Sequence, residues 1–270
     1  MKILMINLER SKDRLEQQIE QFNKLGLVFE RLPAVSIADF SEQVYQDLAF
    51  GGQRPMKQSE LACFLSHKKA WEYVIEVNQP CAILEDDAVL VRDFGKILDE
   101  ANGLKNMDFI NLEVHGRRKL IAKSAEFSLG NGDYQLFSLY QDRSGTGGYI
   151  LYPNGAKKLI DFIGKRSIGL ADEFIYSCRA LKSYQIEPAA LLQSDKCGMY
   201  GVKPIGDTHS IIGQVKNTVL FQLSMIEKIQ FKYRRIMGQI ILGYYYLRFM
   251  SKGQCIKRDI KVDPQRFDEG

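Results

Sequence analysis

Nothing in this chain marks a disulfide framework or a zinc finger. Its cysteines, Cys63, Cys81, Cys178, Cys197 and Cys255, are odd in number and scattered, with no CxxC pair, so a reducing compartment is the default. Long apolar runs are missing too, and no stretch approaches the roughly 20 uncharged residues that a spanning helix needs. The opening run Met1-Lys2-Ile3-Leu4-Met5-Ile6 is too short for the h-region of a signal peptide, and Glu9 and Arg10 follow at once. The expectation is a chain with no secretory leader, in the cytoplasm. Internal repeats and low-complexity tracts are likewise absent. With 45% hydrophobic and 26% charged residues among 270, the composition excludes the disordered and fibrous classes. It can bury a large core, as in one α/β domain with an appendage.

The net charge of +4 is unevenly spread. From Lys216 to Lys261, Lys228, Lys232, Arg234, Arg235, Arg248, Lys252, Lys257 and Arg258 face only Glu227 and Asp259. Met225, Ile229, Ile236, Ile240 and Tyr244 recur there near helical spacing. The expected division is a domain over 1–215 and a basic amphipathic helical tail over 216–270. Such a tail suits an anionic membrane surface, where aliphatic and aromatic side chains enter the interface and Lys/Arg meet phosphate. It equally suits a helix packed on the domain or on a second subunit, since amphipathicity does not separate the two. Nucleic acid is not expected as a partner, because no docking motif accompanies the charge.

Along the first two hundred residues strand and helix signals alternate. Lys2 to Ile6 reads as a buried strand. Ser11 is placed to cap a helix with an apolar stripe of Leu15, Ile19, Phe22 and Leu25, which Gly26 ends. Leu27 to Leu32 reads as a second strand, and this βαβ opening favours a largely parallel sheet. Phe40 to Pro55 reads as an irregular loop. Ser59 is placed to cap a helix carrying Leu61, Phe64, Leu65, Trp71, Val74 and Ile75. Strands are then expected at Pro80 to Leu84, Met107 to Leu112, Tyr134 to Tyr140 and Gly147 to Tyr152, with a polar stretch from His115 to Lys123. Pro153-Asn154-Gly155 leads into a further helix.

Function in open α/β sheets gathers at the carboxyl ends of strands. Glu85-Asp86-Asp87 stands there, and acidic residues are depleted in strands and rarely buried unpaired. The cluster suits Mg²⁺ or Mn²⁺, which take oxygen ligands and keep positions for phosphate; an acidic turn is the other reading. Asn7, Arg10, Lys12 and Arg14 follow the first strand, where the cations suit a diphosphate or simply a solvated helix face. Asn111 and Glu113 end another strand, and Asp172-Glu173 open a helix. The Gly-rich segment Ser144 to Gly148 lacks the Gly-Lys-Ser/Thr of a P-loop; its small residues allow close approach of substrate or backbone.

Taken in order, these segments resemble glycosyltransferase family 25, whose members build bacterial lipooligosaccharide and glycosylate collagen. The resemblance rests on Ile6-Asn7-Leu8-Glu9-Arg10-Ser11-Lys12-Asp13-Arg14, on Phe29 to Val35, on Ser59 to His67 with Trp71, on Ala82-Ile83-Leu84-Glu85-Asp86-Asp87, on Thr146 to Leu151 with Gly155 to Leu159, and on Asp172. Leu61-Ala62 and Ser36-Ile37 stand where the family commonly has Ile-Gly and Asp-Gly. The resemblance implies a GT-A-like, Rossmann-type mixed and mostly parallel sheet flanked by helices. It further implies an inverting transfer of a hexose, with galactose from UDP-galactose favoured, to a lipid-linked lipooligosaccharide acceptor at the inner membrane face. Asp87 is then the expected ligand of Mn²⁺ or Mg²⁺, with His209 as a second, C-terminal ligand. The donor is expected on Asn7, Leu8, Arg10, Arg14, Glu85, Asp86, Thr146 and Gly147. Asp172 is the expected base, with Glu113 as alternative, and His67 is expected to be structural or to support the site from behind. A metal-dependent phosphodiester or nucleotide-sugar hydrolase, or a non-catalytic scaffold, uses the same residues in the competing readings.

Overall fold

The computed structural model describes residues 1–141, 145–206 and 224–267. The elements in chain order are β1 (Lys2–Asn7), α1 (Lys12–Lys24), β2 (Glu30–Pro33), α2 (Glu42–Ala49), α3 (Gln58–Val77), β3 (Cys81–Glu85), β4 (Ala88–Leu90), α4 (Phe94–Asn102), β5 (Phe109–Asn111) and β6 (Lys119–Ala122). They continue with β7 (Phe127–Leu129), β8 (Tyr134–Gln141), β9 (Gly148–Leu151), α5 (Pro153–Ile163), α6 (Ala171–Ser177), β10 (Ser183–Glu187), β11 (Leu191–Gln193), α7 (Met225–Ser251) and β12 (Cys255–Arg258).

One mixed sheet runs in the order β12-β6-β8-β10-β5-β9-β3-β1-β2, with β7 beside β8, and β4 pairs separately with β11. Parallel pairing is confined to β1 with β2, β1 with β3 and β5 with β10; β9 enters antiparallel between β3 and β5. The crossovers through α1 and α3 produce the parallel pairs of β1, α5 and α6 precede the return of β10 beside β5, and the tight connections around β6, β7 and β8 return antiparallel. Side chains alternate across the sheet. Met5, Leu84 and Ile110 pack with α1 and α4, whereas Leu4, Ile83 and Phe109 pack with α3, α5 and α6.

Several local expectations are corrected by the packing. The inward face of α1 is built from Gln18, Gln21 and Phe22, while Ile19 is 44% exposed. The glutamines are held inside because they bond to the backbone around the acidic turn. The helix α3 begins one residue before Ser59, with the Glu60 carboxylate accepting from Lys57 N at 2.8 Å. Within the stretch from Phe40 to Pro55, α2 forms with Ser41 Oγ accepting from Val44 N. Within His115 to Lys123, β6 forms, and the lysine that obscured it is fully buried, donating from Nζ to Gln185 Oε1 at 2.7 Å.

The basic tail is divided by the fold. After α7, β12 adds to the sheet edge beside β6, and Arg258 grips Glu187 of β10 through both guanidinium nitrogens, with one contact at 2.6 Å. Ile260 is buried. Residues 255–267 therefore belong to the sheet body, and the helical part of the tail is α7. Among the described residues no helix is long and apolar enough to cross a membrane.

Candidate active site

The carboxyl ends of β1 and β3 open into a cleft of about 350 Å³. Its walls bring together Leu8, Arg10, Arg14, Glu85, Asp86, Asp87, Thr146 and Asp172 from the expected set. Residues from eight segments meet there, which places the acidic triplet at the focus of the sheet rather than on an isolated turn.

Each of the three carboxylates has a different environment. Asp86 is engaged at both oxygens, with Arg14 donating at 2.9 Å and Asn7 Nδ2 at 2.8 Å. Burial still pushes its carboxyl upward against Arg14. Asn7 is 1% exposed, and it also gives Nδ2 to Ser11 O and accepts from Arg31 Nε at 2.9 Å. Asn7 therefore orients Asp86 rather than facing the cleft. Behind them Gln18 and Gln21 donate to Ala88 O at 3.0 and 2.9 Å, fixing the turn to α1.

Glu85 accepts from Thr146 Oγ1 at 2.7 Å and from His67 Nε2 at 3.2 Å. Burial raises its carboxyl, but these bonds and charges outweigh that cost and hold it below the usual range. The proton positions behind it follow from donor chemistry. Trp71 Nε1 can only donate, and it reaches Tyr149 Oη at 2.9 Å. The tyrosine proton is then free for His67 Nδ1, also at 2.9 Å, which puts the ring proton on Nε2 facing Glu85. His67 is completely buried, so its expected structural role takes the form of a positioning chain from α3 to the acidic turn.

Asp87 is the exception. Its Oδ1 is shut off from solvent and has no hydrogen-bond partner among the described residues. Desolvation first, then Glu85 and Asp86, push its carboxyl up to about 8. A buried carboxylate oxygen without a donor, beside two further acids, lacks a positive charge. A hard divalent cation fits that deficit. Cys63, His67 and Glu85 also offer ligand atoms within 4.8 Å of one another. Burial and neighbouring acids raise the Cys63 thiol well above its usual range, however, and a protonated thiol is a poor ligand for Mg²⁺ or Mn²⁺.

The far wall of the cleft and what stands behind it come from residues far along the chain. Glu113 is fully buried and does not line the cleft; it accepts from Gly147 N at 2.7 Å and pairs with His115 Nε2 at 3.1 Å. It is thus placed to fix the Gly145 to Gly148 segment and His115, not to meet an acceptor. Burial lowers the His115 imidazole, but Glu113 more than restores it and leaves it raised. The glycines serve this packing: Gly145 has φ +98° against Glu113 and His115, and a Cβ on Gly147 would lie 2.6 Å from Gln193 Nε2. His115, Gln193 and Asp195 line the cleft and were not among the expected residues. Gln193 and Asp195 arrive because β11 pairs with β4, and Ser194 donates N–H to Asp87 O at 2.9 Å. Asp172, at the start of α6, faces the cleft with its Oδ1 accepting from Glu173 N at 2.7 Å. Where Ser36-Ile37 departs from the family pattern, Asp39 closes the turn by accepting from Ser36 N at 2.7 Å. His209, like Arg143 and Ser144, lies outside the described residues.

The model of the family described as "Glycosyltransferase family 25 (LPS biosynthesis protein)" matches residues 1–175. The chain belongs to glycosyltransferase family 25. A family 25 member of Aedes aegypti is 30% identical over 64% of the chain and 30% of its own length. Human procollagen galactosyltransferase 2 is 24% identical over 77% of the chain and 37% of its own length. The lacto-N-neotetraose biosynthesis glycosyltransferase LgtE of Neisseria meningitidis is 24% identical over 70% of the chain and 72% of its own length. The chain spans about a third of the length of the animal relatives it matches. The family match ends inside α6, so Asp172 falls within it while Gln193 and Asp195 fall beyond it.

Proposed function

We propose that this family 25 chain is an inverting, cation-assisted hexosyltransferase, moving galactose from UDP-galactose onto a lipid-linked oligosaccharide of the lipooligosaccharide type. The observation that carries the reading is the buried Asp87 Oδ1, without a partner among the described residues, set in one cleft with Arg10, Arg14 and Asp172. The names of the human and Neisseria relatives favour galactose as the sugar and an oligosaccharide as the acceptor.

Asp87 would hold Mn²⁺ or Mg²⁺, with Glu85 beside it. The ion, when bound, supplies neutralisation of the charge that develops on a leaving nucleoside diphosphate. Arg10, exposed at the cleft mouth, gives the diphosphate oxygens charge-assisted hydrogen bonds. Asp86, already held by Arg14 and Asn7, keeps the acidic turn in place and contributes negative charge near the ion. Leu8 and Thr146 shape the donor side of the cleft, and Gly147, expected there as well, stands behind its lining against Glu113 and Gln193. Inversion needs a base on the face opposite the leaving group, and Asp172 takes the proton of the acceptor hydroxyl. Glu113, buried and doubly engaged, supports that arrangement from behind.

The test is sugar transfer from UDP-galactose to a soluble oligosaccharide acceptor, with Mn²⁺ or with chelator, reading product and anomeric configuration by NMR. Product is expected only with donor, acceptor and cation together, and with inverted configuration. Full turnover in chelator would remove the cation from the reading. Release of free galactose at a rate indifferent to acceptor would mark a hydrolase.

A further inference from the structure

The helix α7 packs on the body along one stripe and shows the opposite stripe bare. Phe231 is its buried residue. Arg234 donates to Phe50 O at 2.7 Å, Gln141 Nε2 reaches Leu242 O at 3.3 Å, Arg179 lies 3.6 Å over the Tyr245 ring, and Phe249 stacks on Tyr140 at 4.7 Å. These anchors follow the three-and-four spacing of one helix face. At about 3.6 residues per turn, Ile229, Tyr233, Ile236, Ile240, Tyr244 and Leu247 fall on the face directly opposite. All six are exposed, from 45% for Ile236 to 68% for Leu247. A soluble surface rarely carries so long an apolar stripe without a partner.

The charges beside the stripe select that partner. Lys228, Lys232, Arg235 and Arg248 flank it and are exposed, while Glu227 is the one acidic residue of α7. A second copy laid along α7 would offer these cations no carboxylate of its own helix but Glu227. An anionic lipid headgroup layer meets the same flanks with opposite charge, and the isoleucines and leucine enter below it with tyrosines at the interfacial level. We infer that α7 is an in-plane docking helix for an anionic lipid surface, and that it holds the acceptor side of the cleft toward that surface. The second half of this inference follows from where α7 is anchored and rests on the proposed transfer to a lipid-linked acceptor. Arg234 grips the 50–52 loop, and the adjoining Gln53 donates to Glu173 at 2.8 Å, next to Asp172 at the cleft rim. A lipid-anchored sugar thereby approaches along the membrane toward Asp172.

The test is co-sedimentation of the purified chain with vesicles of phosphatidylglycerol and phosphatidylcholine in equal parts, against vesicles of phosphatidylcholine alone, with neither donor nor cation present. Binding is expected to the anionic vesicles only and to weaken with salt. Each of Lys228→Gln and Lys232→Gln should lower partitioning about fivefold, and Ile236→Glu with Ile240→Glu should abolish it. UDP binding and turnover on a soluble acceptor should be unchanged in all these variants, so a failure of the transfer reading leaves the docking result standing. Transfer to an acceptor embedded in vesicles should fall with the partitioning. Equal binding to both vesicle types, or no loss in the glutamate variant, would overturn the inference. So would a dimer that the same two substitutions dissolve, since that would show a second copy as the occupant.

Discussion

Replacing Asp87 with asparagine should make the cation-free protein more stable and the enzyme inactive. The folded carboxyl titrates at about 8, against an ordinary value of 3.8. Between those values the folded state holds a proton that the unfolded chain has released, so unfolding releases a proton. Stability from this group is therefore complete below the unfolded value and is lost as pH rises through about 8. Each pH unit in the window weakens the fold by about 1.4 kcal/mol. Over the roughly four units between, the decline is about 6 kcal/mol if Asp87 titrates alone, and smaller to the extent that Glu85 and Asp86 exchange the proton with it. Asp87→Asn removes this decline while leaving Glu60 and Glu187, which titrate equally in both proteins. Guanidinium unfolding at pH 4 and pH 9 in chelator reads the difference: near-equal stabilities at the lower pH and a variant more stable by a few kcal/mol at the higher. Adding Mn²⁺ with UDP at the higher pH should then raise the melting temperature of the wild type much more than that of the variant. A variant less stable than wild type at pH 9 in chelator, or an equal response of both to Mn²⁺ with UDP, would refute the reasoning that this oxygen lacks a cation.

Three other outcomes follow from the geometry. Asp172→Asn should lower kcat about 10²- to 10⁴-fold while UDP affinity, measured by calorimetry, stays unchanged; near-normal turnover would exclude it as the base. Tyr149→Phe strands Trp71 Nε1 and His67 Nδ1 in the core and should cost about 2 kcal/mol in denaturant unfolding. It should also alter the ¹⁵N shifts that report the His67 tautomer, and unchanged shifts would break the chain from Trp71 to Glu85. For Glu187, burial raises the carboxyl, but Arg258 and the Lys261 N–H outweigh it and leave it lowered from 4.5. Its stabilising contribution is present above that value and fades as pH falls below it. Glu187→Gln should therefore weaken the fold by about 2 kcal/mol at neutral pH, with the gap closing in acid and amide exchange accelerating first in β12.

The alternation of strands and helices was legible because buried strands such as Ile3 to Ile6 and Cys81 to Leu84 are continuous apolar runs, and their pattern is local. Elements disguised by single residues were not. Lys119 hides β6 until Gln185 is seen to accept its ammonium group, and Ile19 suggested a face for α1 that the buried glutamines displaced. At the site, Asp87, Arg10 and Asp172 were readable because they are acids and bases beside strand or helix ends. Gln193 and Asp195 were not, since their approach depends on β11 pairing with β4 across about a hundred residues, and no local signal encodes that pairing.

The sequence by itself determined the α/β class, the family and the presence of an acidic turn, because each rests on composition, period or motif order along the chain. Only the tertiary structure decided how that turn divides its labour. Arg14 and Asn7 hold Asp86, His67 and Thr146 hold Glu85, and Asp87 is left with an oxygen that nothing among the described residues satisfies. The reason is physical: desolvation and charge pairing are set by whatever packs within a few ångströms, and here those neighbours come from α1, α3 and the segment before β9.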